Sequence, residues 1–406
     1  MPLNLVNKHN AMLLRNTLSD YRSPLDSSDA DALGVEAALA VERFLQHREG
    51  TAPTPMVSLP AVARRLGVGS IYVKDEGQRL GLGSFKALGG AYAVIQIVLE
   101  LASQRWGRPV DISEWRSREV ATLASGMTVT CATDGNHGRS VAQGAQLVGA
   151  NCVVFVHAGV SEARCRAIAR YGARIERVQG NYDDSVASAS KIAAERGWIV
   201  VSDTSWLGYE RIPHLVMQGY TALLREALGA LPKPPTHVFI QAGVGGIAAA
   251  TAAHFSLVFG NDRPFFTVVE PAQAACLLES ARAGQIVQVP HDRPTVMAML
   301  ECYEPSLVAW RILTRVADAF MTVEDDEAVA MMKELAFPVD GDPAIVAGES
   351  GAVGLAGLAK VAGEPALRAE IGLDSNACVF LINTEGATDP ALYEKLVGTR
   401  PEHVTG

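Results

Sequence analysis

The chain has 406 residues, 49% of them apolar and 19% charged. That is long enough to bury one large core or two joined ones, and too apolar for a disordered protein. A net charge of −9 with no long basic run argues against nucleic acid or an anionic membrane as partner, yet leaves room for a local cationic site. The six cysteines, at 131, 152, 165, 276, 302 and 378, form no C-x-x-C pair, so neither a zinc module nor a thioredoxin-like motif is indicated. Cys276 and Cys302 bracket a loop-rich region and can approach each other, but the default for all six is the free thiol. The first residues lack the charged and then apolar pattern of a signal peptide. The most apolar long segment, 247–259, is short for a membrane span and contains Thr251, His254 and Ser256. A soluble, cytoplasmic protein is expected.

In chain order, apolar residues recur at helical spacing through Leu33, Val35, Leu39, Val41 and Leu45, which predicts one helix over 30–47. TAPTP (51–55) breaks it, and 59–66 reads as the next helix. A strand predicted at 70–74 leads into GLGSFKALGG (81–90), where Lys86 stands between a glycine turn and a helical run over 87–101. Strand, glycine turn and helix is the place where open α/β proteins hold ligands, because backbone and helix N-terminus face the crevice. The stretch is neither a P-loop nor a dinucleotide fingerprint. An amine held here can trap a carbonyl, which makes Lys86 a candidate Schiff-base partner of pyridoxal phosphate (PLP). Taken alone, it reads as a solvated surface lysine, as most lysines are, and the case for chemistry depends on the rest of the chain.

After a charged connection (103–118), strands are predicted at 128–132, 152–156, 174–178 and 198–201. Helices at 138–149, 161–171 and 182–196 alternate with them, a rhythm that implies parallel pairing. An irregular piece (203–213) precedes a helix at 217–228, a proline-rich linker and a strand at 237–240. That strand runs into QAGVGG (241–246) and an alanine-rich helix, followed by a strand at 265–269. Residues 283–305 are loop-rich. GESG (348–351) opens another apolar helix, and 377–382 forms a last buried strand ending in NTEG (383–386). The fold class is therefore α/β: two open three-layer domains with mainly parallel sheets and the ligand in the cleft between them. Residues 88–206 form the smaller domain, nested in a larger one made of 1–87 plus 207–406.

Three further strand ends carry unusual punctuation. TDGNHG (133–138) offers Asp134, Asn136 and His137 to a ligand, or is an ordinary Asx turn. Gly243, Val244, Gly245 and Gly246 open a helix and suit a phosphate dianion, although such turns also serve tight helix–sheet packing. At Thr384 a hydroxyl can face a ring nitrogen, and a neutral partner there leaves a pyridine largely unprotonated.

Together SFK (84–86), GNH (135–137) and the 243–246 glycine loop resemble the beta-eliminating, tryptophan-synthase-like (fold type II) PLP-dependent enzymes. DGNH (134–137), DTSWLGY (203–209), MQGY (217–220), GESGA (348–352) and TEG (384–386) narrow the resemblance to its branch of ammonia-lyases acting on 2,3-diaminopropionate, over about residues 40 to 395. The resemblance implies that Lys86 carries PLP, Asn136 bonds its phenolate oxygen, and Gly243 to Gly246 hold its phosphate. It also puts Glu349 in a loop near the cofactor and Thr384 at the ring nitrogen. The implied reaction is elimination to pyruvate and ammonia by a homodimer, with no metal. Lys86 and Asp134 would take the alpha proton from opposite enantiomers. Asp203 would hold the distal ammonium or tune Asp134, or serve only as a cap. Three positions depart from the branch pattern: Leu207 replaces a glutamate, and Met299 and Tyr303 replace glycines. The alternatives are a dehydratase or deaminase of serine, threonine or 3-hydroxyaspartate, a beta-replacement enzyme on the same fold, and a non-catalytic ligand-binding relative.

Overall fold

A computed structural model describes residues 13–133, 135–180, 182–338 and 340–404. Its strands are β1 (Leu13–Arg15), β2 (Met56–Ser58), β3 (Ser70–Asp75), β4 (Thr128–Ala132), β5 (Asn151–His157), β6 (Arg174–Val178), β7 (Ile199–Val200), β8 (His237–Gln241), β9 (Phe265–Pro271), β10 (Ala319–Val323) and β11 (Cys378–Asn383). They form a larger sheet in the order β1-β10-β9-β8-β11-β3-β2 and a smaller one in the order β6-β5-β4-β7. Among the described strands, the edge strands β1 and β2 pair antiparallel and the other strand pairings are parallel. Parallel neighbours end on the same side, so the exits of β3, β11 and β8 lie side by side, as do those of β4 and β7. The register of β11 on β3 brings Asn383 opposite Asp75, where both strands stop.

Strands buried on both faces read as unbroken apolar runs, and β8 and β11 are buried along their whole length. Helix Gly246–Phe259 is apolar all round and correspondingly enclosed. Helix Lys86–Trp106 is long and apolar enough to cross a membrane but is mostly buried, packed against helices Asn136–Val148 and Arg211–Ala230. Glycine permits that last contact. A Cβ on Gly89 would sit 2.5 Å from the Tyr220 ring, and one on Gly219 would lie 2.6 Å from the Leu88 carbonyl oxygen. Neither clash can be relieved cheaply in a close-packed interior.

The predicted strands appear within a residue or two. The helix expected over 30–47 is instead two, Ser27–Leu33 and Val35–Gln46, which meet at an extended Gly34. Helix Arg211–Ala230 starts ahead of the expected 217, because Pro213 falls in the first turn, where its missing N–H costs nothing. Strands β1, β2 and β10 have no counterpart among the predicted elements. The first two are three-residue edges, too short to show a period. β10 is an apolar run that periodicity alone does not separate from a helix.

Candidate active site

Lys86 is the first residue of its helix, and the turn before it is stitched to the turn after β11. Ser84 bridges Glu385, Phe85 N–H donates to the Thr384 carbonyl at 3.0 Å, and Gly386 N–H donates to the Gly83 carbonyl at 3.0 Å. Two strand exits thereby become one wall of a cleft of about 900 Å³. Lys86, Asn136, His137, Asp203, Gly243 to Gly246, Thr384 and Glu385 all line it.

Lys86 Nζ lies 2.6 Å from Asp203 Oδ2, with the two side chains 21% and 14% exposed. Burial by itself raises the Asp203 carboxyl, but His137 and the Lys86 ammonium prevail and hold it well below the usual carboxylate range. Burial pushes His137 downward, against the pull of Asp203, so the ring is neutral near pH 7. Its Nε2–H then donates to the Val201 carbonyl at 2.8 Å. The other nitrogen, Nδ1, is 3.8 Å from Asp203 Oδ2 and has no hydrogen-bond partner among the described residues. A buried, unpartnered acceptor beside a paired ammonium and carboxylate suits a polar ligand.

Across the cleft, Gly245 adopts φ +100 and starts helix Gly246–Phe259. The first N–H groups of a helix have no intrahelical partner and sit at its positive end, so this turn can cradle a dianion. Segment 298–302 is packed over it, close enough that a Cβ on Gly243 would meet Cys302 Sγ at 2.8 Å. Thr384 Oγ1 accepts from Gln241 Nε2 at 2.9 Å and lies 3.4 Å from the Ser350 carbonyl. The donor set thus fits PLP: an amine for its aldehyde, a helix N-terminus for its phosphate and a hydroxyl for its ring nitrogen.

A carboxyl cluster backs the same wall. Asn136 Nδ2 donates to Glu385 Oε2 at 2.6 Å, and Arg164 Nη2 is 3.5 Å from Glu349 Oε1. Burial, and then the charge of Glu385, pushes Glu349 up to about 8. Glu385 is raised too, again mainly by burial.

Of the predicted residues, Lys86, Asn136, Asp203, Gly243, Val244, Gly245, Gly246 and Thr384 converge on the cleft. Glu349 stands behind it, and its neighbour Ser350 supplies the lining. Asp134 lies outside the described residues. Leu207 is 89% exposed, while Met299 lines the cleft. Tyr303 lies in an adjoining cavity, where its hydroxyl donates to Glu301 and its ring stacks on His291. No disulfide joins any of the cysteines among the described residues. Sequence reading missed Glu385, Gln241, Tyr220 and Arg164. Glu385 had a signal, since it follows Thr384 in the same strand-end turn. Arg164 had none, because it is an arginine in the first turn of helix Glu162–Ala169 whose partner is 185 positions away (349 − 164).

The family described as pyridoxal-phosphate dependent enzyme matches residues 47–380. The chain is 39% identical to the diaminopropionate ammonia-lyase of Escherichia coli (strain K12) over 368 residues, 89% of this chain and 91% of the relative. Among solved structures it is similar to diaminopropionate ammonia lyase from Escherichia coli in complex with an aminoacrylate-PLP azomethine reaction intermediate. That match has a TM-score of 0.84 and 37% identity, and covers 95% and 96% of the two chains. Threonine deaminase isoform 2 from Solanum lycopersicum shares the fold, with a TM-score of 0.71 at 19% identity over 95% and 97%.

Proposed function

The chain belongs to the pyridoxal-phosphate-dependent enzyme family, and on that premise we propose that it eliminates ammonia from 2,3-diaminopropionate to give pyruvate and a second ammonia. The observation that carries the reading is the Lys86–Asp203 pair at 2.6 Å, inside a cleft that also holds the glycine turn and Thr384. When bound, PLP supplies an aldehyde for an amine and an electron sink for the carbanion left by loss of the alpha proton.

The chain's own residues do the rest. Lys86 Nζ would hold the cofactor and is placed to take an alpha proton. Gly243, Val244, Gly245 and Gly246 would hold the phosphate, Asn136 would bond the phenolate oxygen, and Thr384 would meet the ring nitrogen. Asp203 is an anion at neutral pH, which favours anchoring of the substrate's distal ammonium over delivery of a proton. An amine kept protonated carries its own proton away and leaves as ammonia. The resemblance gives Asp134 the alpha proton of the enantiomer that Lys86 does not serve, so Asp134→Asn should slow one enantiomer far more than the other.

Keto acid release by purified protein supplied with PLP tests the reading. Pyruvate from diaminopropionate supports it. Turnover of serine or threonine alone would replace it with a dehydratase. The reading also takes 88–206 as a small domain carrying the four-stranded sheet and the remainder as a large one carrying the seven-stranded sheet. It takes the protein as a cytoplasmic homodimer, which sedimentation tests.

A further inference from the structure

Glu349 is 1% exposed and Glu385 2%, and the positive charge around them does not suffice for two anions. The charged groups facing them are Arg164 from helix Glu162–Ala169, Arg139 from helix Asn136–Val148, and Asp389 beyond β11. Among the described residues only Arg164 is within ion-pair range, 3.5 Å from Glu349 Oε1. Asp389 adds to the negative side. Two carboxyls buried in one low-dielectric wall with a single arginine in ion-pair range resist double ionisation near neutrality, although no hydrogen bond joins them among the described residues.

Glu385 Oε2 accepts from Asn136 Nδ2 at 2.6 Å and from Thr388 Oγ1 at 3.3 Å. An ionised carboxylate can only accept, so it requires the amide nitrogen of Asn136, and not the oxygen, to face it. The amide carries two N–H groups. One goes to Glu385, and the other remains for the cleft that Asn136 lines.

We propose that buried Glu385 is a positioning group for Asn136, its anion holding the amide in the orientation that offers an N–H to the phenolate oxygen of the bound cofactor, with buried Glu349 kept neutral so that this wall holds one negative charge. This rests on the reading above that the cleft holds PLP. Arg164, reaching over from the helix after β5, stabilises that single charge.

The test uses Glu349→Gln, Glu385→Gln and Asn136→Ala in both cofactor-free and PLP-loaded protein. In the fold Glu349 holds its proton up to about pH 8, whereas the unfolded chain releases it in the ordinary glutamate range. Its contribution to stability is therefore complete in acid and is lost as pH rises towards 8. The melting temperature of cofactor-free wild type should fall across that interval, and E349Q should flatten the fall. In loaded protein, E349Q should move the pH midpoint of the cofactor's absorbance by about one unit. E385Q should weaken PLP retention about tenfold, and adding Asn136→Ala should weaken it no further, since both changes break one link. An unflattened melting profile in E349Q, or additive losses from E385Q and Asn136→Ala, would overturn the proposal. Wild-type protein that binds no PLP yet shows the E349Q flattening would remove the cofactor reading and the role of Asn136, and leave only the carboxyl pair.

Discussion

Two buried charge clusters flank the turn that carries Lys86, and their composition differs in one respect. On the chain leading into the turn, Lys74 and Arg79 meet Glu76 and Glu226, two cations with two anions. Lys74 Nζ is 2.6 Å from Glu226, and Arg79 reaches Glu76 at 2.7 Å and Glu226 at 2.6 Å. Thr54 closes the set through its hydroxyl on Glu76 and its carbonyl on Lys74. On the cleft side, Glu349 and Glu385 have, among the described residues, one arginine in ion-pair range, Arg164 at a longer 3.5 Å from Glu349, with Arg139 farther off. Matched charges with satisfied hydrogen bonds fix every ionisation state and hold a loop still. Unmatched charges leave a proton free to move, which is useful only where chemistry takes place.

Breaking each cluster in turn should separate these roles. The largest effect is expected for Lys86→Ala, a loss of at least ~10³-fold in keto acid release, with a smaller fall in melting temperature than for Arg79→Met because it strands one partly exposed carboxylate, Asp203. A variant that also unfolds would erase the contrast between working and supporting charges. Arg79→Met strands two buried carboxylates and should cost about 3–5 kcal/mol in urea unfolding. A cost below ~1 kcal/mol would mean that the cluster is screened like a surface pair. Asp203→Asn should reduce kcat/KM for diaminopropionate about 10- to 100-fold and affect D-serine less, since serine carries no distal ammonium.

The smallest expected effect concerns the sign of the pH dependence. Burial raises Glu226, but Arg79 and Lys74 prevail and lower it. Its contribution is therefore present above the ordinary glutamate range and lost as pH falls through its depressed value. In melting scans, Glu226→Gln should flatten the acid limb while Glu349→Gln flattens the alkaline one. Identical slopes in the two variants would show that the clusters do not differ in charge balance.

Much of the fold was legible because it is local. Glycine after a strand, alanine and leucine at helical spacing, and a serine cap at Ser161, whose hydroxyl accepts from the Arg164 N–H at 3.3 Å, are all short-range patterns. Lys86, Asn136, Gly243 to Gly246 and Thr384 were found at such strand ends. Gly34 was misread because apolar spacing continues across it while the backbone does not. Glu349 is expected in a loop near the cofactor, and that loop does reach the cleft, with Ser350 in the lining and Glu349 behind it.

The sequence by itself determined the alternation of strands and helices, the glycine turns and the lysine, since each depends on neighbours a few residues apart. Only the tertiary structure decided that β3, β11 and β8 are adjacent, so that Lys86, Thr384 and the 243–246 turn share one cleft. It also decided that Asn136 meets Glu385 across 249 positions. Charge balance, and with it the place where a proton stays mobile, depends on distance through space and on burial. Neither quantity is encoded in the spacing of residues along the chain.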